Sequence, residues 1–192
     1  MSEASSIEGV ILAAGTSSRF GAFKPALLIG GKAMISRCIE GMYDVCERII
    51  VVGGNEIERL RTLVRGFDKV ECIENASYQN GMFSSVKAGL AEVRGDRCLI
   101  LPGDIPLVPP AVYRTLLARE ADIVIPTFQK KRGHPICVSQ SIIPRILAEP
   151  DSSSLREVIT SMCYETVEVD AEEILVDVDT PQDHERIRER FR

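Results

Sequence analysis

Residues 9–24 read GVILAAGTSSRFGAFK, and the first four already constrain the fold. Gly9 to Leu12 is short and continuously apolar, which suits a strand of a parallel sheet covered on both faces. In such a sheet the chain leaves the strand at its carboxyl end, where open α/β folds bind their ligands. What leaves here is small. Ala13, Ala14 and Gly15 let backbone N–H groups approach an anion closely, and Arg19 and Lys24 bring mobile positive charge to it. The stretch therefore predicts a strand followed by a phosphate-facing loop; the alternative is an ordinary turn with two solvated cations. It fits neither familiar phosphate template. Gly15 and Gly21 are six positions apart and Ala22 follows, whereas a P-loop needs a Gly-Lys pair five positions on, and a dinucleotide fingerprint needs a third glycine.

Outward from this stretch the pattern repeats. Short β-branched runs recur at Arg48–Val52, Lys69–Ile73, Arg97–Leu101, Asp122–Ile125, Pro135–Val138 and Glu165–Val169. Between the early ones, Ala33–Tyr43, Glu56–Val64, Ser84–Val93 and Pro109–Arg119 carry apolar residues at helical spacing. Strands alternating with helices predict one α/β domain over residues 1–192, a Rossmann-like, open, mostly parallel sheet with helices on both faces. After Ile125 the alternation loosens, and residues 126–175 are expected to form an insertion or edge region on the same sheet.

Composition excludes several classes. With 28 acidic against 23 basic residues, a net charge of −5 and no long single-sign block, a general electrostatic grip on nucleic acid is not expected. No Lys or Arg precedes the first apolar run, which argues against a secretory leader, and no segment approaches the roughly 18 apolar residues of a membrane span. The six cysteines lack a C-x-x-C pair and several sit in apolar runs. Buried free thiols in a reducing cytoplasm are the expectation.

Three further segments carry chemistry. In LPGDIP, residues 101–106, a buried strand ends, Gly103 permits a tight turn, and Asp104 projects from the carboxyl end with Pro106 preventing continuation. A carboxylate there suits Mg²⁺, which one or two carboxylates hold together with substrate phosphate oxygens; a turn Asp capping backbone N–H groups is the alternative. In LVDVDT, residues 175–180, Asp177 and Asp179 alternate along an expected strand and share one face. There Thr180 and Pro181 are the expected N-cap and first residue of the last helix. Ser84 and Ser85 follow the Asn80-Gly81 turn, where one of them would cap the next helix. The one basic cluster is KKRGH, residues 130–134, whose Lys130, Lys131 and Arg132 suit an anionic acceptor. His184 lies in a charged helix and is expected to be solvated. With two histidines and no G-x-S-x-G, a hydrolase triad or a His-rich metal site is not supported.

LAAGTSSRFGAFK resembles the signature L-A-[AG]-G-x-S-x-R-[MF]-G-x-x-K of the MobA-like nucleotidyltransferases. NASYQNGMFSSVKAGL, LPGDIP, KRGHP and DVDTPQD resemble further family segments in the same order, so the resemblance spans residues 10–183. It points toward the molybdenum cofactor cytidylyltransferases. It implies an Mg²⁺-dependent, cytoplasmic enzyme that moves CMP from CTP onto a phosphate-bearing, molybdopterin-type acceptor and releases pyrophosphate. Arg19, Lys24 and Asp104 would be catalytic, and Asp104 and Asp179 would hold the metal. Leu12, Ala13, Ala14, Gly15, Lys24, Gly81 and Ser85 would bind the nucleotide, with Ala14 in place of a second glycine favouring cytosine over guanine. Arg132 and His134 would face the acceptor. A molybdoenzyme or a chaperone would be the protein partner. The chain departs from the pattern at Ile105, Pro25 and the PDSSSLRE loop, residues 150–157, which keeps two alternatives open: a sugar- or polyol-phosphate nucleotidyltransferase, and a non-catalytic nucleotide- or cofactor-binding module.

Overall fold

The computed structural model describes residues 5–15 and 20–190. Its elements run β1 (Ile7–Leu12), β2 (Leu28–Ile29), β3 (Lys32–Ala33), α1 (Met34–Met42), β4 (Arg48–Gly53), α2 (Ile57–Val64), β5 (Val70–Glu74), α3 (Met82–Ala91), β6 (Arg97–Pro102) and α4 (Pro110–Leu117). They continue through β7 (Ile123–Phe128), β8 (Lys131–Arg132), β9 (Ile136–Ser139), α5 (Ile143–Ala148), α6 (Leu155–Thr160), β10 (Glu165–Glu168) and α7 (Pro181–Glu189). An eight-stranded sheet has the order β10-β7-β9-β6-β1-β4-β5, with β8 paired to β7, and β2 and β3 form a separate hairpin.

The strand interiors explain the continuous apolar runs. On β4, Ile49 and Val51 face the layer built by α1, α2 and α4, while Ile50 and Val52 face α3, α5 and α6. Both faces are covered, so neither set of alternate residues is left to be polar. Each fully buried aliphatic side chain contributes roughly 1.5–3 kcal/mol. On one face α3 lies close against the middle of the sheet, because residue 89 has no side chain. A Cβ at Gly89 would come within 2.5 Å of Val10 Cγ1 and 3.0 Å of Val52 Cγ2.

One strand runs against the rest of the main path. β9, expected from Pro135–Val138, pairs antiparallel with both β6 and β7. The reason lies in its connection. β7 turns directly into β8 through Gln129 and Lys130, both at positive φ, so the chain comes back without the crossover helix that a parallel return requires.

Local chemistry sets the helix starts. Thr180 caps α7 as expected, accepting the Asp183 N–H at 3.2 Å while the Asp183 carboxylate accepts the Thr180 N–H at 2.9 Å. The expected serine cap of α3 is not formed. Gly81, at φ 101°, is its N-cap residue, and Ser84 and Ser85 lie within the helix. A left-handed turn at a glycine starts the helix earlier than the serines, whose hydroxyls take other partners.

Three more expectations are corrected or refined. Residues 176–179 do not form a strand, and the Val178 N–H donates to the Asp104 carbonyl at 2.9 Å. Since β6 already has β1 and β9 as neighbours, the segment can only join the sheet past the strand's end. His184 is half-buried rather than solvated: its ring nitrogen bonds the Leu28 carbonyl at 2.9 Å and its edge meets Phe20, tying α7 to the β2–β3 hairpin. The cysteines are unpaired, with Cys38, Cys46, Cys98 and Cys137 buried, Cys72 intermediate and Cys163 exposed. Burial pushes the Cys46 thiol up to about 12.

Candidate active site

The chain runs from β1 outward through β4 and β5, then returns along α3 to β6 on the opposite side of β1. β1 and β6 therefore flank the point where strand order reverses, and a crevice opens at their carboxyl ends. Leu12 and Pro102 are register partners there. The Gly103 N–H donates to the Leu12 carbonyl at 2.9 Å and the Ala13 N–H to the Val52 carbonyl at 2.8 Å. These bonds bring the loop after β1 and the turn after β6 out side by side. The cleft between them, about 510 Å³, is lined by Leu12, Ala13, Ala14, Gly15, Lys24, Gly81, Ser85, Asp104 and Asp179. Thus one cavity gathers every nucleotide- and metal-side residue singled out from the sequence except Arg19, which lies outside the described residues.

Lys24 opens a short 3-10 turn and is seated by buried Pro25 beside it. Its Nζ donates to Asp104 Oδ2 and to Asp179 Oδ1, each at 3.1 Å. The lysine side chain is only 15% exposed, so this ion pair is partly shielded from water. The two carboxylates arrive independently: Asp104 follows β6, while Asp179 comes from the segment before α7 that Val178 pins to the Asp104 backbone. Asp177 lies near both, and its carboxyl is raised above its ordinary range, first by loss of hydration and then by the negative charges of Asp179 and Asp104.

Hard carboxylate oxygens converging on a cation are the donor set that Mg²⁺ takes. Among the described residues no group of three or more His, Cys, Asp or Glu is arranged to hold a metal without help. The Asp104–Asp179 pair instead fits the mode in which phosphate oxygens of a ligand complete the shell.

The rest of the cleft offers donors. The N–H groups of Ala14 and Gly15, and of Met82 and Phe83 in the first turn of α3, meet no acceptor among the described residues, and the first turn of a helix is its positive end. Beneath them, buried Asn75 donates through Nδ2 to Ser84 Oγ at 2.8 Å and Ser85 Oγ at 3.0 Å. Ser84 in turn donates toward the Gly81 and Ser77 carbonyls at 2.8 and 3.0 Å. This network fixes the start of α3 in the cleft wall.

Leu12, Gly81, Met82 and Pro102 also line a second cavity of about 800 Å³. Its walls include Lys130, Lys131, Arg132, His134 and the loop 151–156. Arg132 lies over the Tyr164 ring at 5.6 Å. His134 is held toward its neutral form by burial, against the opposing pull of Asp104. Lys87 of α3 anchors the loop through Asp151 Oδ1 at 2.8 Å and the Glu149 carbonyl at 2.9 Å.

Several lining or supporting residues were not singled out from the sequence. Tyr78 and Gln79 line the first cleft, and their position just before the Asn80-Gly81 turn was the available signal. Asn75 opens the quoted segment NASYQNGMFSSVKAGL, but its bonds to Ser84 and Ser85 were not read from it; Tyr164 meets Arg132 across 32 residues of sequence, a contact that no local pattern announces.

A switch-point crevice with a lysine between two carboxylates, leading into a basic-rimmed cavity, defines a nucleotidyltransferase of the open α/β class. Residues 9–167 match the model of the MobA-like NTP transferase domain. The chain belongs to that family. The molybdenum cofactor cytidylyltransferase of Escherichia coli (strain K12) is 29% identical over 188 residues, covering 97% of this chain and 98% of its own. The crystal structure of Rv0371c from Mycobacterium tuberculosis H37Rv has a TM-score of 0.84 at 24% identity, covering 97% of this chain and 98% of that one. A structure of Rv0371c in complex with manganese has a TM-score of 0.79 at 21% identity, covering 97% and 99%.

Proposed function

We propose that this nucleotidyltransferase moves CMP from CTP onto the terminal phosphate of a molybdopterin-type acceptor, with Mg²⁺ held by Asp104 and Asp179. The observation that carries the reading is the convergence of Lys24 with both carboxylates in a cleft that opens into a second, basic-rimmed cavity. The choice of nucleotide and acceptor is supported by likeness to the E. coli molybdenum cofactor cytidylyltransferase across nearly the whole chain, and the binding of a divalent metal by the similar structure solved in complex with manganese.

An acceptor phosphate oxygen attacks the α-phosphorus, the bond to the bridging oxygen breaks, and pyrophosphate leaves. Such transfer depends mostly on positioning and charge neutralisation. Lys24 and Arg19 neutralise the triphosphate and the departing pyrophosphate. The N–H groups of Ala14 and Gly15 cradle phosphate oxygens, Gly81 and Ser85 lie against the base, and Arg132 and His134 orient the acceptor. The metal, when bound, polarises the reacting phosphate and lowers the cost of its developing charge.

Pyrophosphate release measured with Mg²⁺, each of the four NTPs, and either a molybdopterin-type acceptor or sugar phosphates tests the proposal. Release is expected with CTP and the molybdopterin acceptor. Release with a sugar phosphate instead would reassign the acceptor, and binding without release under every combination would mark a cofactor-binding module. Within the same assay, Arg132→Ala is expected to raise the acceptor KM about tenfold, the loss of one charge-assisted hydrogen bond, with little change in the CTP KM. The opposite split would move the 130–134 loop to the nucleotide side.

A further inference from the structure

The ammonium of Lys24 stands where a cation bridging Asp104 and Asp179 would stand. It touches one oxygen of each carboxylate at 3.1 Å and is the more deeply buried partner of both pairs. One ammonium offsets only part of the charge of the two carboxylates, and Asp177 lies near both. A divalent ion added to the same oxygens would sit against the ammonium and meet both repulsion and a depleted donor set. Lysine carries its charge on a flexible four-carbon stem and re-pairs readily, so an incoming polyanion offers it a second place to go.

We propose that Lys24 is a built-in competitor of the divalent metal. In the free enzyme it occupies one oxygen each of Asp104 and Asp179 and keeps metal affinity low; the triphosphate draws it away, and the carboxylates become available to the ion that arrives with the nucleotide. Lys24 thereby acts as a positioning residue for metal entry, coupling the order of binding to the nucleotide. The inference rests on the reading of Asp104 and Asp179 as the metal ligands. It also gives the lysine a function in the free enzyme, before any phosphate is present.

Direct Mn²⁺ binding to the nucleotide-free protein, followed by loss of the free-ion paramagnetic signal, tests this without turnover. Lys24→Met is expected to bind Mn²⁺ about tenfold more tightly than the wild type, with Lys24→Gln behaving alike should the methionine variant fold poorly. Lys24→Arg, which keeps the charge, is expected to stay near the wild-type affinity. The gain is expected to vanish in the double variant Lys24→Met, Asp104→Asn. Equal or weaker binding by the neutral variants, with Asp104→Asn still lowering affinity, would overturn the competition and leave the two carboxylates as ligands. A gain that persists in the double variant would place the ion elsewhere, and would overturn the ligand assignment as well.

Discussion

Asp104→Asn is expected to lower pyrophosphate release at saturating CTP and acceptor about a thousandfold, the equivalent of about 4 kcal/mol of transition-state stabilisation. The substitution keeps the side chain's size and removes its charge. The charge has two tasks at this position: it pairs with Lys24 at 3.1 Å, and with Asp179 it forms the oxygen pair proposed to hold Mg²⁺. The fold is expected to survive, because the structural bond at this residue is made by its backbone carbonyl, which receives the Val178 N–H and does not change with the side chain. Kinetics and thermal unfolding measured on one preparation separate these effects. Turnover near the wild-type rate would remove Asp104 from the chemistry.

Gly89→Val is expected to destabilise the protein by about 3 kcal/mol, the upper part of the range for overpacking a core. For a chain of this size that corresponds to a fall in Tm of roughly 6–12 °C. The first added carbon would approach Val10 Cγ1 to 2.5 Å and Val52 Cγ2 to 3.0 Å. Neither neighbour can yield easily, since Val10 and Val52 are fully buried on adjacent central strands. Relief has to come from moving α3, whose first turn forms part of the cleft wall through Met82 and Ser85. Impaired CTP binding in whatever fraction stays folded is therefore the companion result, read by titration below the unfolding transition. An unchanged Tm would show that the helix has more room than its contacts allow.

These two residues differ in how openly the sequence declared them. Asp104 was legible because a buried strand, a glycine turn and a proline stop leave a carboxylate few places to point. Gly89 lies in the quoted segment NASYQNGMFSSVKAGL, but its reason was not legible, since a glycine inside a helical pattern gives no sign of the surface it must approach. The same division runs through the rest of the molecule. Thr180 and Pro181 announced the start of α7 by local hydrogen bonding, whereas Ser84 and Ser85 misled: the same residue type that caps a helix also serves inside one when a partner such as Asn75 waits behind it. His184 looked solvated in a charged helix until α7 folded back onto the carbonyl of Leu28.

The order of apolar runs and helical spacings by itself determined the α/β class, because a strand covered on both faces and a helix covered on one require different periodicities, and these are written locally. It also determined which residues carry charge next to small-residue turns. Tertiary structure decided the rest. It reversed β9, since the tight turn at Gln129 and Lys130 left no length for a crossover. It brought Lys24, Asp104 and Asp179 within hydrogen-bonding distance, since the return of the chain to the far side of β1 places the ends of distant segments in one crevice. Distances between remote side chains depend on how whole layers pack, and no window of neighbouring residues contains that information.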